Sequence, residues 1–160
     1  MKIRIQIAME GNNGEFERIE NIVDLERSLL QPETLGLTLA ESKTVLQGIQ
    51  QRMVSEQVNE YVAQFNTCPD CGTRRTKKGQ HTLVYRTVFG KLNLISPRLY
   101  DCACHQPHEH RHSSSPLATW LKAHSSPELL YLETKFASLM SYGLSIRLLS
   151  EVLPIADEIN

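Results

Sequence analysis

Cys68-Pro69-Asp70-Cys71-Gly72 and Cys102-Ala103-Cys104, with thirty residues between the two cysteine pairs, decide how this chain is read. The two-residue gap lets both thiolates of the first pair face one point, and Gly72 lets the backbone fold back toward sulfur. In an extended strand residues i and i+2 share a face, so Cys102 and Cys104 also converge. The intervening segment supplies the return path. Residues 81–89 and 92–96, rich in Thr, Val and Tyr, read as two strands around Gly90-Lys91. Pro97 limits the second strand or places it on an edge. A hairpin that brings the chain back to its first knuckle is the pattern of a zinc ribbon. Four thiolates, from Cys68, Cys71, Cys102 and Cys104, make a closed tetrahedral zinc site with no position left for water, so the zinc is structural. Free buried cysteines or a disulfide are the competing reading, and close pairs on both sides of a hairpin argue against it. His105, His108, His110 and His112 follow at once. They read as a solvated loop, and whether His105 or His108 joins the metal site stays open.

Upstream of the cysteines, residues 2–8 put Ile3, Ile5 and Ile7 on one face of a strand. Gly11-Asn12-Asn13-Gly14 is a turn signal. Residues 15–23 are the expected return strand, although their alternation is poor. Pro32 and Gly36 mark a loop. Thr38-Leu39-Ala40-Glu41 has the spacing of a capping box and opens a helix expected to run to about Phe65, weakened only by Gly48. Leu46, Ile49 and Met53 form one apolar stripe on it; Val54, Val58, Tyr61, Val62 and Phe65 form a second. At 1.5 Å per residue the helix is ~40 Å long, more than a small domain covers, so pairing with a second copy, as a homo-oligomer, or with a further part of the protein is one expectation, and an ordinary core helix is the plainer one.

Downstream, Ser113-Ser114-Ser115-Pro116 and Ser125-Ser126-Pro127 bracket what reads as a linker. Ser126-Pro127-Glu128 starts a helix with a capping serine, a first-position proline and an acid in the first turn. Leu129, Leu132, Phe136, Leu139 and Met140 line one face to about Tyr142, and Gly143 is the expected stop. Ser145 is expected to cap a short second helix with Ile146, Leu149 and Leu153 inward, ended by Pro154. Two helices joined by a tight turn open a helix-turn-helix. The third helix, which would read the major groove, is missing, and Asn160 stands as an N-cap where it would begin.

A net charge of −1 conceals a segregation of sign. Residues 1–66 carry ten acids and six bases, and residues 101–160 carry seven acids and four bases. Residues 67–100 carry one acid, Asp70, against Arg74, Arg75, Lys77, Lys78, Arg86, Lys91 and Arg98. Basic charge concentrated on the cysteine segment points to a phosphate-bearing partner, and these seven residues are the candidate DNA contacts. A solvated basic surface is the plainer alternative. No apolar run approaches the ~20 residues of a membrane span, and the N-terminus lacks an apolar signal region. The expected compartment is a reducing cytoplasm, with the protein associated with the nucleoid, where cysteines more often bind metal than pair as disulfides. No acid pair, nucleophile elbow or glycine-rich phosphate loop stands out.

Three stretches give the chain a family resemblance: residues 32–41, PETLGLTLAE; residues 85–92, YRTVFGKL, with 96–100, SPRLY; and residues 127–144, PELLYLETKFASLMSYGL. With the cysteine pairs between them, they resemble the N-terminal region of ISKra-type bacterial insertion-sequence transposases over essentially the whole chain. The histidine run after Cys104 departs from the family pattern. The resemblance implies binding at the DNA ends of a mobile element. It also implies a DDE-type, metal-dependent acidic triad on an RNase H-like domain further along, absent from these 160 residues. The chain is therefore expected to be a truncated portion that does not cut or join DNA itself.

The sequence thus predicts an α+β chain. Its parts are a β-hairpin and loop over residues 1–36, a long helix over 37–66 and a zinc-ribbon hairpin over 67–112. A linker over 113–125 and the first two helices of an incomplete helix-turn-helix over 126–160 follow. The expected role is DNA binding, with structural zinc and without catalysis. A zinc-ribbon adaptor or regulator that binds protein is the first rival. A nuclease with catalytic zinc is the second, disfavoured because four cysteines leave no position for water.

Overall fold

The computed structural model describes residues 1–10, 16–29, 31–105 and 112–155. The expected turn at residues 11–14, His108 and His110, and Asn160 lie outside the described residues. The architecture is mixed α+β, in two compact units: Met1–Arg52 with Val88–Gly90 and Glu133–Asn160, and Met53–Thr87 with Lys91–Leu132. Among the described residues no helix is long and apolar enough to cross a membrane.

In the first unit, β1 (Lys2–Glu10) pairs antiparallel with β2 (Phe16–Glu26). Ile5 faces Val23, but Gln6 faces Asn21, so Ile22 is an extra residue in β2 and forms a bulge. Glu20 and Ile22 point inward before the bulge, Val23 and Leu25 after it. That parity switch is why the sequence alternation of this strand is poor. The hairpin leads through a 3-10 turn, Pro32–Thr34, into α1 (Leu39–Ala63).

The capping box forms as its spacing requires. The Glu41 backbone N–H donates to Thr38 Oγ1 at 3.3 Å, and the Thr38 N–H donates to Glu41 Oε2 at 2.9 Å. The first half of α1 differs from the expected stripe. Val45 is buried and Gly48 lies against Ile22, while Leu46 and Met53 are exposed. The bulge sets this: it delivers Ile22 to the helix surface, where only a residue without Cβ fits.

In the second unit the expected stripe holds. Val58, with Val54 and Val62 beside it, packs on Leu83, Leu92, Leu94 and Leu117. β3 (Lys77–Thr87), β4 (Gly90–Tyr100) and β5 (Ser113–Ser114) form a three-stranded sheet in that order. β4 exceeds its expected span at both ends, whereas β3 begins four residues earlier than expected and stops two residues short of Phe89. β4 continues through Pro97, which precedes the two residues, Leu99 and Tyr100, that pair with β5. Leu92, Leu94 and Ser96 are buried, then Pro97 and Leu99, so β4 also switches parity at the proline.

The stretch expected to be a linker contains β5 and a one-turn helix, α2 (Pro116–Trp120), whose N-cap Ser115 accepts from the Ala118 N–H. Trp120 stacks on Tyr61 with ring centroids 4.1 Å apart. The following segment is laid along β3, with the Arg86 N–H donating to His124 O (2.8 Å) and the Ser126 N–H to Arg86 O (2.7 Å).

Two helices close the chain, α3 (Pro127–Ala137) and α4 (Tyr142–Val152). Ser126 Oγ caps α3 by accepting from the Leu129 N–H at 3.2 Å. α3 ends five residues before the expected last residue, Tyr142, and Gly143 sits inside α4. It is not among the glycines with positive φ, so nothing makes it terminate a helix. Ser145 is not the cap of α4; it lies within the helix, buried, its hydroxyl bonded back to Ser141 O at 3.1 Å. Leu149 is buried and Ile146 and Leu153 are half-buried, as the spacing predicts.

Candidate metal centre

The first knuckle is a tight turn. The Gly72 N–H donates to Cys68 O (3.0 Å), and the Cys68 N–H donates to Thr73 O (2.9 Å). Gly72 holds φ 69, the left-handed region that a residue with Cβ adopts only under strain. A bridge between Thr67 and Arg74 closes the base of the turn.

The second pair converges by a different route from the one its spacing suggests. β4 ends at Tyr100, and the His105 N–H donates to Cys102 O at 3.0 Å, so residues 102–105 form a turn and not a strand. The turn brings Cys104 back beside Cys68 with a sulfur–sulfur distance of 3.5 Å, while Cys71 lies 3.3 Å from Cys102.

All four sulfurs lie within 4.8 Å of one another, and none forms a disulfide. A tetrahedral ion bound at about 2.3 Å by sulfur spaces its ligands by roughly 3.8 Å, so this cluster is within easy adjustment of a metal cage. Cys68, Cys71, Cys102 and Cys104 can hold a metal ion.

The local electrostatics favour thiolate at the first pair. The backbone N–H groups of Cys71 and then Asp70 point at Cys68 and lower its thiol to about 6. The Thr73 hydroxyl, 3.3 Å away, and then its backbone N–H lower Cys71. Cys104 moves the other way: crowded by the sulfurs of Cys102, Cys68 and Cys71, it holds its proton. Close thiols that cannot all ionise together resolve that conflict by taking up a cation.

A second constellation borders the first. His105 Nε2 lies 2.7 Å from Asp70 Oδ2 and 3.5 Å from Cys68 Sγ. The Cys68 sulfur and then the Asp70 carboxylate raise the His105 pKa. The sequence alone does not decide whether His105 is a ligand. The turn at 102–105, which decides its position, has no marker in composition.

Of the seven basic candidates, Arg74, Lys77, Lys78, Lys91 and Arg98 are exposed, whereas Arg75 and Arg86 are half-buried. Lys78 Nζ sits 5.7 Å from the centroid of the Tyr100 ring, and Arg98 donates to Ser113 Oγ at 3.5 Å. Arg74 and Arg75 line a cleft beside Cys71, Cys102 and Cys104, together with Tyr100 and one acid, Asp101. Comparison of the chain with protein-family models, curated proteins and solved structures found no match.

Proposed function

We propose that the chain is the DNA-binding portion of an insertion-sequence transposase, with its ribbon fixed by one structural zinc ion. What carries the reading is the convergence of four cysteines in a segment where Arg74, Lys77, Lys78, Lys91 and Arg98 are exposed and acids are scarce. Zinc suits four sulfur ligands: it takes tetrahedral thiolate sites without redox chemistry. When bound, it supplies a rigid cross-link at the open end of the β3–β4 hairpin. The protein's own residues do the rest. Arg74, Lys77, Lys78 and Arg98 offer cations to phosphates along the backbone, which gives affinity and register but not sequence choice. The resemblance of residues 32–41, 85–100 and 127–144 to ISKra-type transposases supplies the biological setting, element ends in the nucleoid. The centre has no catalytic part in this reading, because four thiolates fill it.

The test is a gel-shift series across salt with the zinc-loaded chain and a DNA duplex. Affinity should fall linearly on a log–log plot, and changing Arg74, Arg75, Lys77 and Lys78 to alanine should flatten the slope by ~0.9 per lost phosphate contact. An unchanged slope and affinity in the quadruple variant would remove the reading. A protein-binding adaptor is then the better account. It is favoured by Leu144, Leu148 and Val152, exposed at four-residue spacing on α4.

A further inference from the structure

We propose that the metal centre carries a reserve ligand, His105, which takes the coordination position of Cys104 when that thiolate is lost; the inference rests on the zinc reading above. Cys68, the one cysteine that is fully buried, has two partners at the same distance. Cys104 Sγ and His105 Nε2 each lie 3.5 Å from its sulfur. Zinc bonds of about 2.3 Å to sulfur and about 2.0 Å to nitrogen place tetrahedral ligand atoms roughly 3.5–3.8 Å apart. Both candidates therefore already stand one tetrahedron edge from the anchoring ligand.

The turn explains how. Because the His105 N–H closes onto Cys102 O, the chain reverses through Ala103 and Cys104 and brings position 105 back to the knuckle. Cys104 is exposed at this turn, open to alkylating reagents, while Cys68 is sheltered. The two rivals are neighbours in sequence; His105 is clustered with Cys68 and Asp70 but not with Cys71 or Cys102, so the exchange needs the turn to carry Nε2 toward those two sulfurs. Asp70, 2.7 Å from Nε2, keeps the imidazole beside the cluster until then.

The exchange is a ligand substitution. The bond from metal to Cys104 sulfur breaks, with the sulfur pair retained by a proton or by the alkyl group of the reagent. Any proton that Nε2 shares with Asp70 would first pass to solvent, leaving the neutral ring protonated at Nδ1, and the Nε2 lone pair would then form the new bond. Imidazole is a good zinc ligand and a thioether is a poor one, so the substitution runs one way once Cys104 is capped.

Zinc content and the cobalt(II) spectrum of the full chain test this. Wild type and His105→Ala should both bind about one equivalent as tetrathiolate sites. Cys104→Ala should still bind about one equivalent, with sulfur-to-cobalt charge-transfer intensity reduced to about three quarters and ligand-field bands moved to higher energy. Cys104→Ala with His105→Ala should lose the ion. Equal retention by the single and double variants overturns the proposal, as does loss of metal from Cys104→Ala in a soluble protein. If Cys104→Ala does not fold, Cys104→Ala with His105→Cys decides: a tetrathiolate cobalt spectrum supports reach from position 105, and its absence overturns it. Wild type without zinc would overturn the zinc reading itself, a failure distinct from loss confined to the variants.

Discussion

The two hairpins of this chain tie their open ends by different chemistry. In β3–β4 the apolar contacts gather near the Gly90 turn, at Leu83, Leu92 and Leu94, whereas Lys77 to Thr82 are all exposed. At the far end only β4 contributes buried residues, Pro97 and Leu99, and there the four cysteines meet. In β1–β2 the far end carries the ion pairs Lys2–Glu26 and Arg4–Asp24, and Arg27 ties it to the segment that follows. Arg27 donates to both carboxylate oxygens of Glu41 at 2.7 Å, to Thr34 O at 3.0 Å and to Gly36 O at 3.0 Å. That guanidinium joins the strand end, the 3-10 turn and the helix cap. At each open end one strand alone supplies a buried leucine, Leu25 or Leu99, and a polar cluster lies beside it. A metal ion held by the four cysteines would be open to withdrawal by a chelator, and the guanidinium tie is not.

Metal removal gives the largest expected effect and would break the comparison if it failed. Structural zinc binding in small modules is worth ~10–16 kcal/mol near neutral pH. Chelation, or Cys68→Ala with Cys102→Ala, should therefore unfold residues 67–104. The Thr38–Glu41 cap and the β1–β2 hairpin should keep their slow amide exchange. Elemental analysis and residue-resolved exchange check it. Protection lost equally in both hairpins would mean that the metal holds more than its own end of a ribbon.

Next in size is Gly48→Ala, which probes the helix contact of the first hairpin. An added Cβ would stand 2.6 Å from Ile22 Cγ2, on a β-branched side chain with little freedom to turn away. Helix propensity favours alanine by ~1 kcal/mol, and overpacking costs ~1–3 kcal/mol. The variant should be destabilised by up to ~2 kcal/mol in denaturant titration, and Ile22→Ala in the same chain should relieve the clash. A stabilised single variant would show that the bulge does not press Ile22 onto the helix.

These two sites mark what the sequence discloses and what it withholds. Capping and knuckle signals are local: Thr38 with Glu41, Ser126 with Pro127 and Cys68 with Cys71 each act within four residues, and each forms as read. Ser115-Pro116 carries the same local signal as Ser126-Pro127, but α2 is only five residues long, too short for an apolar periodicity that would set it apart from a serine-rich linker. What stays hidden is register. The bulge at Ile22 and the parity switch at Pro97 depend on the partner strand and leave only a weak alternation behind. The same holds for His105, whose place is set by a turn that the extended reading of Cys102 and Cys104 did not contain.

The smallest expected effect separates the two ties by pH. The Glu41 carboxyl is held down to about 2, first by the Arg27 guanidinium and then by the Thr38 backbone N–H, from an ordinary value of 4.5. A carboxyl depressed in the folded state contributes stability that is fully present above its unfolded pKa. That contribution is lost as the pH falls from there through the folded value. The Arg27 tie should therefore weaken only between about pH 4.5 and about pH 2. Metal binding by thiolates must compete with protons, so the cysteine end should loosen at higher pH than this. On acidification, exchange protection in residues 67–104 should fall first, and protection at the Thr38 and Glu41 amides should persist to lower pH. Glu41→Gln retains an acceptor for the Thr38 N–H but removes the charge. It should lower protection of the cap near neutrality and abolish its dependence on pH below 4.5, leaving zinc content unchanged. A cap that melts together with the cysteine end in the wild-type chain would sink the distinction between the two ties.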